Sequence, residues 1–495
     1  MRIATRQPAG ELAFTSRGDR SDERVGRLAR IGTAVKLAPS IYAVGSTLPV
    51  EDVAAYHRNA IAAHIWPGGV LCGATALTGG RRAPEVYIST AGRGRRSPLA
   101  LPGTRLVPVH GPGALPGDGQ VVGGLFIAGT ARTLVENFHV TGRPPRHRAG
   151  TAAVEDAIDD LARAGGIAGI SNVLAQLEVI AGSFNPAAVA AVRSRLVSLL
   201  GTTPAGLRPG GRLGARLAGE PYDQRRLDLF AGLAETLTRH APHIRYMDLD
   251  APDAAFEPFF EAYFSNYIEG TEFEIGEAAA IVIEGRVPED RPADAHDVSA
   301  TYRLIVDQTD RTFRPDSYDE LDARLIERHR ILMAARPEKR PGQLKEIPNR
   351  AGSHVFVEPH LMAGTMRRGF EVFAELQEPF ARAVAMMALV AECHPFDDGN
   401  GRLSRLTGNA ELTAAGQARI IIPTVFRDNY LAALNGFSNV ADRGEALISV
   451  LDFAQKWTHR TPWSTYAAAR ASCDATNAFE LSAIAEANNR RLRLP

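Results

Sequence analysis

The chain has 495 residues, 45% hydrophobic and 23% charged, with 56 Lys and Arg against 56 Asp and Glu. That is a globular composition, and the length predicts two or three domains rather than one. The zero net charge hides an asymmetry: residues 1–217 hold 25 bases and 14 acids, and the remainder 31 bases and 42 acids. A basic half joined to an acidic half predicts different partners for the two. The basic half is compatible with nucleic acid and equally with a solvated surface. No run of about 20 apolar residues is uninterrupted, so no membrane span is expected. The first twenty residues lack the apolar core of a secretory signal. Cys72, Cys393 and Cys473 are far apart and form no Cys-x-x-Cys. They predict a reducing, cytoplasmic setting rather than a disulfide framework or a zinc knuckle.

In chain order, residues 1–20 are polar and without period, and are expected to be disordered. SDERVGRLAR predicts a short helix with Ser21 as its N-cap. KLAPSIYAV (36–44) reads as a strand, VEDVAAYHRNAIAAHI (50–65) as a helix, and GGVLCGATAL (68–77) as a strand–helix junction. EVYIST (85–90), TRLVPVH (104–110) and VVGGLFIAG (121–129) are short strands, and helices follow to about residue 200. Residues 201–220, rich in Gly, Pro and Arg, read as a linker with little to pack. Long helices then dominate. RAGSHVFVEPH (350–360) is a hairpin candidate, and the last 25 residues read as peripheral.

The most informative stretch is AECHPFDDGNGRLSR, residues 391–405. QEPFARAVAMMALVAEC (377–393) is apolar nearly all round and predicts a buried helix that delivers His394 to its end. Pro395 stops that helix, and Arg402 opens a second one. The glycines at 399 and 401 permit a tight connection and expose N–H groups where a helix dipole favours an anion. Arg402 and Arg405 share a helix face. Asp398 offers a hard oxygen suited to Mg²⁺, and His394 can take a proton near neutral pH. These are the parts of a phosphoryl- or nucleotidyl-transfer site, though singly each residue could be a helix cap, a turn or a solvated charge.

The whole string resembles the signature of the Fic (Fido) family: His394, Pro395, Phe396, one acid, Asp398, Gly399, Asn400, Gly401, Arg402, two residues, Arg405. The resemblance implies an all-α Fic fold over roughly 220–465 and Mg²⁺-dependent transfer of AMP from ATP to a Tyr, Thr or Ser hydroxyl of a target protein. It implies His394 as general base, Asp398 as the metal ligand, Gly399, Asn400 and Gly401 as the anion hole, and Arg402 and Arg405 on the distal phosphates. Asp397 and Cys393 read as surface and packing. The family's β-hairpin flap, which docks the target backbone, is matched by Ser353, His354, Val355, Phe356 and Val357.

Upstream, in AFEPFFEAYFSNYIEGTEF (255–273), seven aromatic and aliphatic residues from Phe256 to Ile268 follow helical spacing. At about 100° per residue Ser265 and Glu269 fall on the opposite side, with Gly270 as a natural stop. Periodicity alone places that side in water. Ser265, Glu269 and Gly270 also resemble the Fic inhibitory motif in its N-terminal arrangement. That implies Glu269 paired with Arg405 in the place of the ATP γ-phosphate, since one guanidinium cannot serve both a carboxylate and a triphosphate.

RLARIGTAVKLAPSIYAVG (27–45) and the strands and helices after it resemble, by order and pattern, the AbiEi-type antitoxin and transcriptional regulators. This implies a winged helix with DNA as partner. Solvated arginines (Arg81, Arg82, Arg93, Arg95 and Arg96) are the plainer alternative. The expected fold is multidomain α+β: 21–80 winged-helix-like, 81–200 α/β, 201–220 linker, 221–470 Fic domain with an inhibitory helix over about 254–270, and 471–495 tail. Removal of AMP, transfer of another nucleotide-derived group, and a DNA-binding regulator that only senses nucleotide stay open as alternatives. A homodimer also stays open.

Overall fold

The computed structural model describes the chain except for residues 1–7, 17–19, 81, 82, 93, 140, 141, 202–206, 241–243, 353 and 440–442. Ser353, Arg81, Arg82 and Arg93 of the sequence reading lie outside the described residues. The chain divides into two compact units, Met1–Gly219 and Glu220–Pro495.

The first unit opens with β1 (Glu11–Phe14), α1 (Arg20–Arg30), β2 (Ala34–Ala38) and β3 (Ile41–Val44). Three differences from the sequence reading stand here. A strand occupies part of the expected disordered start. The first helix begins at Arg20, so Ser21 lies inside it rather than capping it. The stretch read as one strand over 36–44 folds back on itself, because Pro39 fixes φ and Ser40 takes φ 63°. The resulting antiparallel sheet has the order β1-β3-β2.

Next come α2 (Val50–Ile65), β4 (Val70–Leu71), α3 (Gly73–Leu77), β5 (Glu85–Ser89), β6 (Leu99–Leu101), β7 (Thr104–Val109), β8 (Gly119–Val122) and β9 (Leu125–Ile127). They build a mixed six-stranded sheet, β6-β7-β5-β4-β9-β8. β4 lies inside that sheet, between β5 and β9, so the boundary expected at 80/81 is not a structural one. Leu37, Ile41, Val53, Ile61, Trp66, Ile88 and Leu106 share one core across both sheets and α2.

A helical layer completes this unit: α4 (Thr130–Asn137), α5 (Thr151–Ile180), α6 (Pro186–Ser198) and α7 (Gly211–Leu217). The helical run Thr151–Ser183 is long and apolar enough to cross a membrane by length and composition. It breaks at Gly166 (φ 53°, ψ −154°) into two legs, and Val154, Ile158, Val173 and Leu177 enter the core. Neither leg reaches the about 20 residues a span needs. α7 corrects the linker reading of 201–220. Leu213 is fully buried, Arg212 bonds Asp156 and Asp160, and Arg216 bonds Asp159 (2.6 Å). Its glycines and arginines suggested loop, but the arginines find acids on α5.

The second unit is helical: α8 (Gln224–Arg239), α9 (Glu257–Ile268), α10 (Ile275–Val282), α11 (Pro292–Val306), α12 (Gln308–Arg311), α13 (Tyr318–Leu332), α14 (Pro359–Ala374), α15 (Pro379–Cys393), α16 (Asn400–Ala414), α17 (Arg427–Ser438), α18 (Glu445–Arg460), α19 (Tyr466–Ala475) and α20 (Ser482–Ala487). Between α13 and α14, β10 (Arg350–Ala351) pairs antiparallel with β11 (His354–Val355). α15 and α16 form the centre. A β-carbon on Gly408 would stand 2.6 Å from Ala383 O, so the close approach of the two helices depends on that glycine.

Ile420–Ile422, three β-branched residues in a row, runs as buried coil. Side chains take the place of a neighbouring strand: Asn409 Oδ1 accepts the Ile420 N–H (2.8 Å), Asn409 Nδ2 donates to Ile420 O (3.1 Å), and Thr458 Oγ1 accepts the Ile421 N–H (3.2 Å). The C-terminal stretch is not peripheral. Cys473, Ala478, Ala485 and Leu492 join a core with Phe260, Phe264, Trp457 and Trp463.

Candidate active site

α15 ends at Cys393, and His394 follows as its C-cap in the left-handed conformation (φ 52°, ψ 59°). Its N–H donates to Val390 O (3.0 Å). Its Nδ1 lies 3.2 Å from Ala391 O, an oxygen that can only accept, so Nδ1 carries the proton and Nε2 keeps a free lone pair. The ring stacks on Phe356 of the hairpin segment (centroids 3.7 Å apart, 12° between planes). Burial, with help from the Lys345 charge, lowers the imidazole pKa to about 4, against opposing pulls from Ala391 O, Glu269 and Asp398. The ring is therefore neutral at pH 7 and able to act as a base.

The loop after His394 is tied by Asn400. Its Oδ1 accepts the Phe396 N–H (3.0 Å) and its Nδ2 donates to Phe396 O (2.9 Å). The Asn400 side chain is thus spent on loop shape, and only its N–H can serve an anion. Phe396 is fully buried and stacks on His329 of α13 (4.0 Å, 12°). Burial lowers the His329 pKa to about 4 as well. Gly399 takes φ 74° to open α16. The first intrahelical bond of α16 is Leu403 N–H to Gly399 O (3.1 Å), so the N–H groups of Asn400, Gly401 and Arg402 come before it and carry the positive end of the helix dipole.

A carboxylate sits at that helix start. A β-carbon on Gly401 would stand 2.8 Å from the carboxyl carbon of Glu269. The same carboxylate accepts from Arg405 Nη2 (2.8 Å). Arg405 also donates from Nε to Ser265 Oγ (3.0 Å) and from Nη2 to Ser265 O (2.8 Å). Glu269 can reach because α9 ends there: Gly270 takes φ 90° and its N–H bonds Tyr267 O (3.1 Å).

The polar side of α9 does not face water. Glu257, Glu261, Ser265 and Glu269 follow at i+4 spacing, and three of them meet named partners along α16 and just beyond it. Glu261 pairs with Arg419 and accepts from Asn409 (2.9 Å), while Ser265 and Glu269 hold Arg405. Glu257 is fully buried, and among the described residues neither of its oxygens finds a hydrogen-bond partner. Burial, reinforced by the Glu261 charge, pushes its pKa up to about 8.

Arg402 departs from the sequence reading. It shares a face with Arg405 at Cα, but its guanidinium runs inward to Asp297 Oδ2 on α11 (3.1 Å) and Asn266 Oδ1 on α9 (3.2 Å). Both Arg402 and Asp297 are buried. It braces α16 rather than pointing into the loop.

Asp398 is 45% exposed at its side chain and faces Lys339 Nζ at 3.4 Å. Burial would raise its pKa, but the Gly399 N–H, Arg402 and Lys339 outweigh that and hold it below the usual carboxylate range. Among the described residues no group of three or more His, Cys, Asp or Glu could hold a metal ion. A single half-exposed carboxylate suits Mg²⁺ whose other ligands are phosphate oxygens and water.

Of the hairpin residues, Val355 is 55% exposed, Phe356 covers His394, and Val357 is buried in the main core. His354 faces Glu392 at 3.7 Å, and Arg226 of α8 donates to Val355 O (2.7 Å) while pairing with Glu392. The hairpin is therefore anchored to α15 two residues before His394. Sequence reasoning missed Arg226, Glu392, His329, Asp297, Arg340 and Lys345. Each acts through a partner far off in sequence, and none carries a local motif. Asp397, read as surface, grips Arg340 (2.8 and 3.1 Å).

The arrangement is a helical unit whose central helix start accepts an anion beside a neutral histidine. Residues 320–412 match the profile of the family described as Fic/DOC family. The chain is similar to protein adenylyltransferase fic-1 of Caenorhabditis elegans, 23% identical over 189 residues, 37% of each chain. It is similar to protein adenylyltransferase Fic of Drosophila mojavensis, 25% identical over 215 residues, 41% of this chain and 42% of that one. The Drosophila erecta protein of the same name is 26% identical over 257 residues, 49% of each. The chain thus spans less than half the length of these relatives. Among solved structures it is similar to Fic-1 of C. elegans, with 16% identity, TM-score 0.34, and coverage of 66% of this chain and 88% of that one. It is also similar to a Fic domain-containing signaling protein from Bacteroides thetaiotaomicron, with 20% identity, TM-score 0.35, and coverage of 50% and 97%. The likeness to the Fic/DOC family profile thus falls within the second unit, over residues 320–412.

Proposed function

We propose that the second unit transfers AMP from ATP to a hydroxyl of a target protein, and that Glu269 restrains it. The observation that carries this reading is the Glu269 carboxylate, seated against Gly401 at the start of α16 and bonded to Arg405. A helix start that holds a carboxylate in this way suits a phosphate equally well. In the transfer, the target oxygen attacks the α-phosphorus while His394 Nε2 takes its proton. The bond to the bridging oxygen breaks, and pyrophosphate leaves. Arg405 would hold the distal phosphates once Glu269 swings away. Asp398 would hold Mg²⁺, which supplies charge neutralisation of the phosphates when bound. The exposed edge of the hairpin supports docking of an extended target segment beside His394. Incubation with α-³²P-ATP and Mg²⁺ tests the reading. Label on the Glu269→Gly chain, faint on the natural chain and absent from Glu269→Gly/His394→Ala is expected. No label in any lane, with host lysate supplied, would remove it and favour a nucleotide sensor or a hydrolase acting on modified protein.

For the first unit, one observation favours nucleic acid. Arg24, Arg27 and Arg30 of α1 are exposed at i, i+3, i+6, on the side opposite buried Val25. Phosphate contact by such a row predicts duplex binding that weakens steeply with salt. Binding that survives Arg24→Ala/Arg27→Ala/Arg30→Ala unchanged would exclude this face.

A further inference from the structure

Residues 340–349 hold the loop around His394 from outside. The Lys345 N–H donates to Pro395 O (2.9 Å), and Lys345 Nζ donates to Cys393 O (3.0 Å). Asn349 Nδ2 donates to Phe396 O (2.9 Å), and Arg340 grips both oxygens of Asp397. Residues 393, 395, 396 and 397 are thus each captured by this segment, and His394 lies between the first two. Lys345 is 3% exposed, and its second ammonium contact is the neutral Asn349 Oδ1 (2.8 Å). Among the described residues no carboxylate comes within ion-pair distance of it. A buried ammonium without a counter-ion is costly, so its placement calls for a role. The chain then continues from Asn349 into β10, and Phe356 N–H returns to Asn349 O (3.2 Å). One short segment therefore connects the ring that covers His394 with the main chain that carries it.

We propose that Lys345 is a positioning residue for His394: its ammonium ties Cys393 O to Asn349 and so holds the histidine in its left-handed cap beneath Phe356. The inference rests on His394 acting as the base. The cap conformation is one that a side-chain-bearing residue adopts only when its surroundings enforce it. The ammonium also serves the negative end of the α15 dipole. Its charge helps keep the imidazole unprotonated, while Glu269 and Asp398 act in the opposite sense. Lys345 is itself lowered to about 8, by burial first and by Arg226, with Cys393 and Asp397 opposing.

The test uses the full Glu269→Gly chain with ¹³C-labelled histidine, the His394 resonance being identified by its loss in His394→Ala. Lys345→Met and Lys345→Gln are expected to raise the His394 titration midpoint by half a unit or more. They are expected to lower the transfer rate at least tenfold with the KM for ATP within twofold. Lys345→Arg, which keeps charge and donors, is expected to restore most of both. Glutamine retains one donor, so it covers the case in which methionine prevents folding. An unmoved midpoint overturns the proposal, and so does an unchanged rate in a chain that transfers. The titration needs no turnover, so failure of the transfer reading is distinguishable from failure of this one.

Discussion

The two units treat charge differently. In the first, the buried charged residues among those described are few, chiefly Arg132, Glu155 and Asp159. Pairs such as Arg193–Glu178 sit in water, 40% and 57% exposed. In the second, Arg226, Glu261, Asp297, Asp310, Arg328, Lys345, Arg382, Glu392, Arg402, Arg405, Glu411 and Arg419 are all buried. Desolvating so many ions is not an efficient way to stabilise a fold, since apolar residues of like volume do as well or better. What buried pairs give is direction. Arg402, Arg405 and Arg419 around α16 each have a fixed address, and the proposed phosphate site would need that more than it needs stability.

Four experiments press on this contrast. The largest effect belongs to chemistry. In the Glu269→Gly chain, His394→Ala is expected to lower AMP transfer by about 10³-fold or more, read by label incorporation. Next comes a broken pair inside the second unit. Glu261→Ala leaves Arg419 buried without its carboxylate and is expected to cost about 3–5 kcal/mol in urea unfolding. A comparable effect, dependent on pH, is expected at Glu257. Its pKa, raised to about 8, keeps it protonated in the fold at neutral pH, whereas the unfolded chain releases that proton near the ordinary value of 4.5. The folded state then binds more protons between those values, so stability falls as pH climbs through that window. Glu257→Gln is expected to remove the slope, with a gain on the order of 4 kcal/mol at pH 8 and little change at pH 4.5. The smallest is Arg193→Ala in the first unit, expected within about 0.5 kcal/mol of the natural chain. A cost above about 2 kcal/mol there would erase the contrast.

What was legible in the sequence follows from how local each signal is. His394 to Arg405 is one loop and one helix start, and its spacing alone brings an anion-accepting N-terminus beside a histidine. Ser265, Glu269 and Gly270 were legible as a short motif, yet periodicity placed them in water. α9 is buried all round because its polar stripe meets polar partners rather than solvent, and helical spacing cannot distinguish the two. Arg402 misled for a related reason: sharing a Cα face with Arg405 does not fix where a long side chain ends, and Asp297 lies more than a hundred residues away. Residues 201–220 carried loop composition, yet Gly211–Leu217 within them is helical, its arginines meeting acids on α5. Ile420–Ile422 carried strand composition but lay where Asn409 and Thr458 already satisfied its main chain. Lys345 sat in a stretch that composition marks only as loop.

The depth of α9 bears on how a restraint at Glu269 could be lifted. Withdrawing the helix would strip Phe259, Phe260 and Phe264 from the core, about 5–9 kcal/mol of apolar burial before any ion pair is counted. Only the last turn is thin: Glu269 is 30% exposed at its side chain and is held by one guanidinium and a helix start. Turning that carboxylate away is a local rotamer change on a fast timescale, and its cost, about 3–5 kcal/mol, is that of leaving Arg405 without a partner. An anion that takes over the guanidinium offsets that cost and so moves the population. Control built this way resembles a dimmer more than a door: graded, quickly reversed, and set by small differences in affinity rather than by refolding.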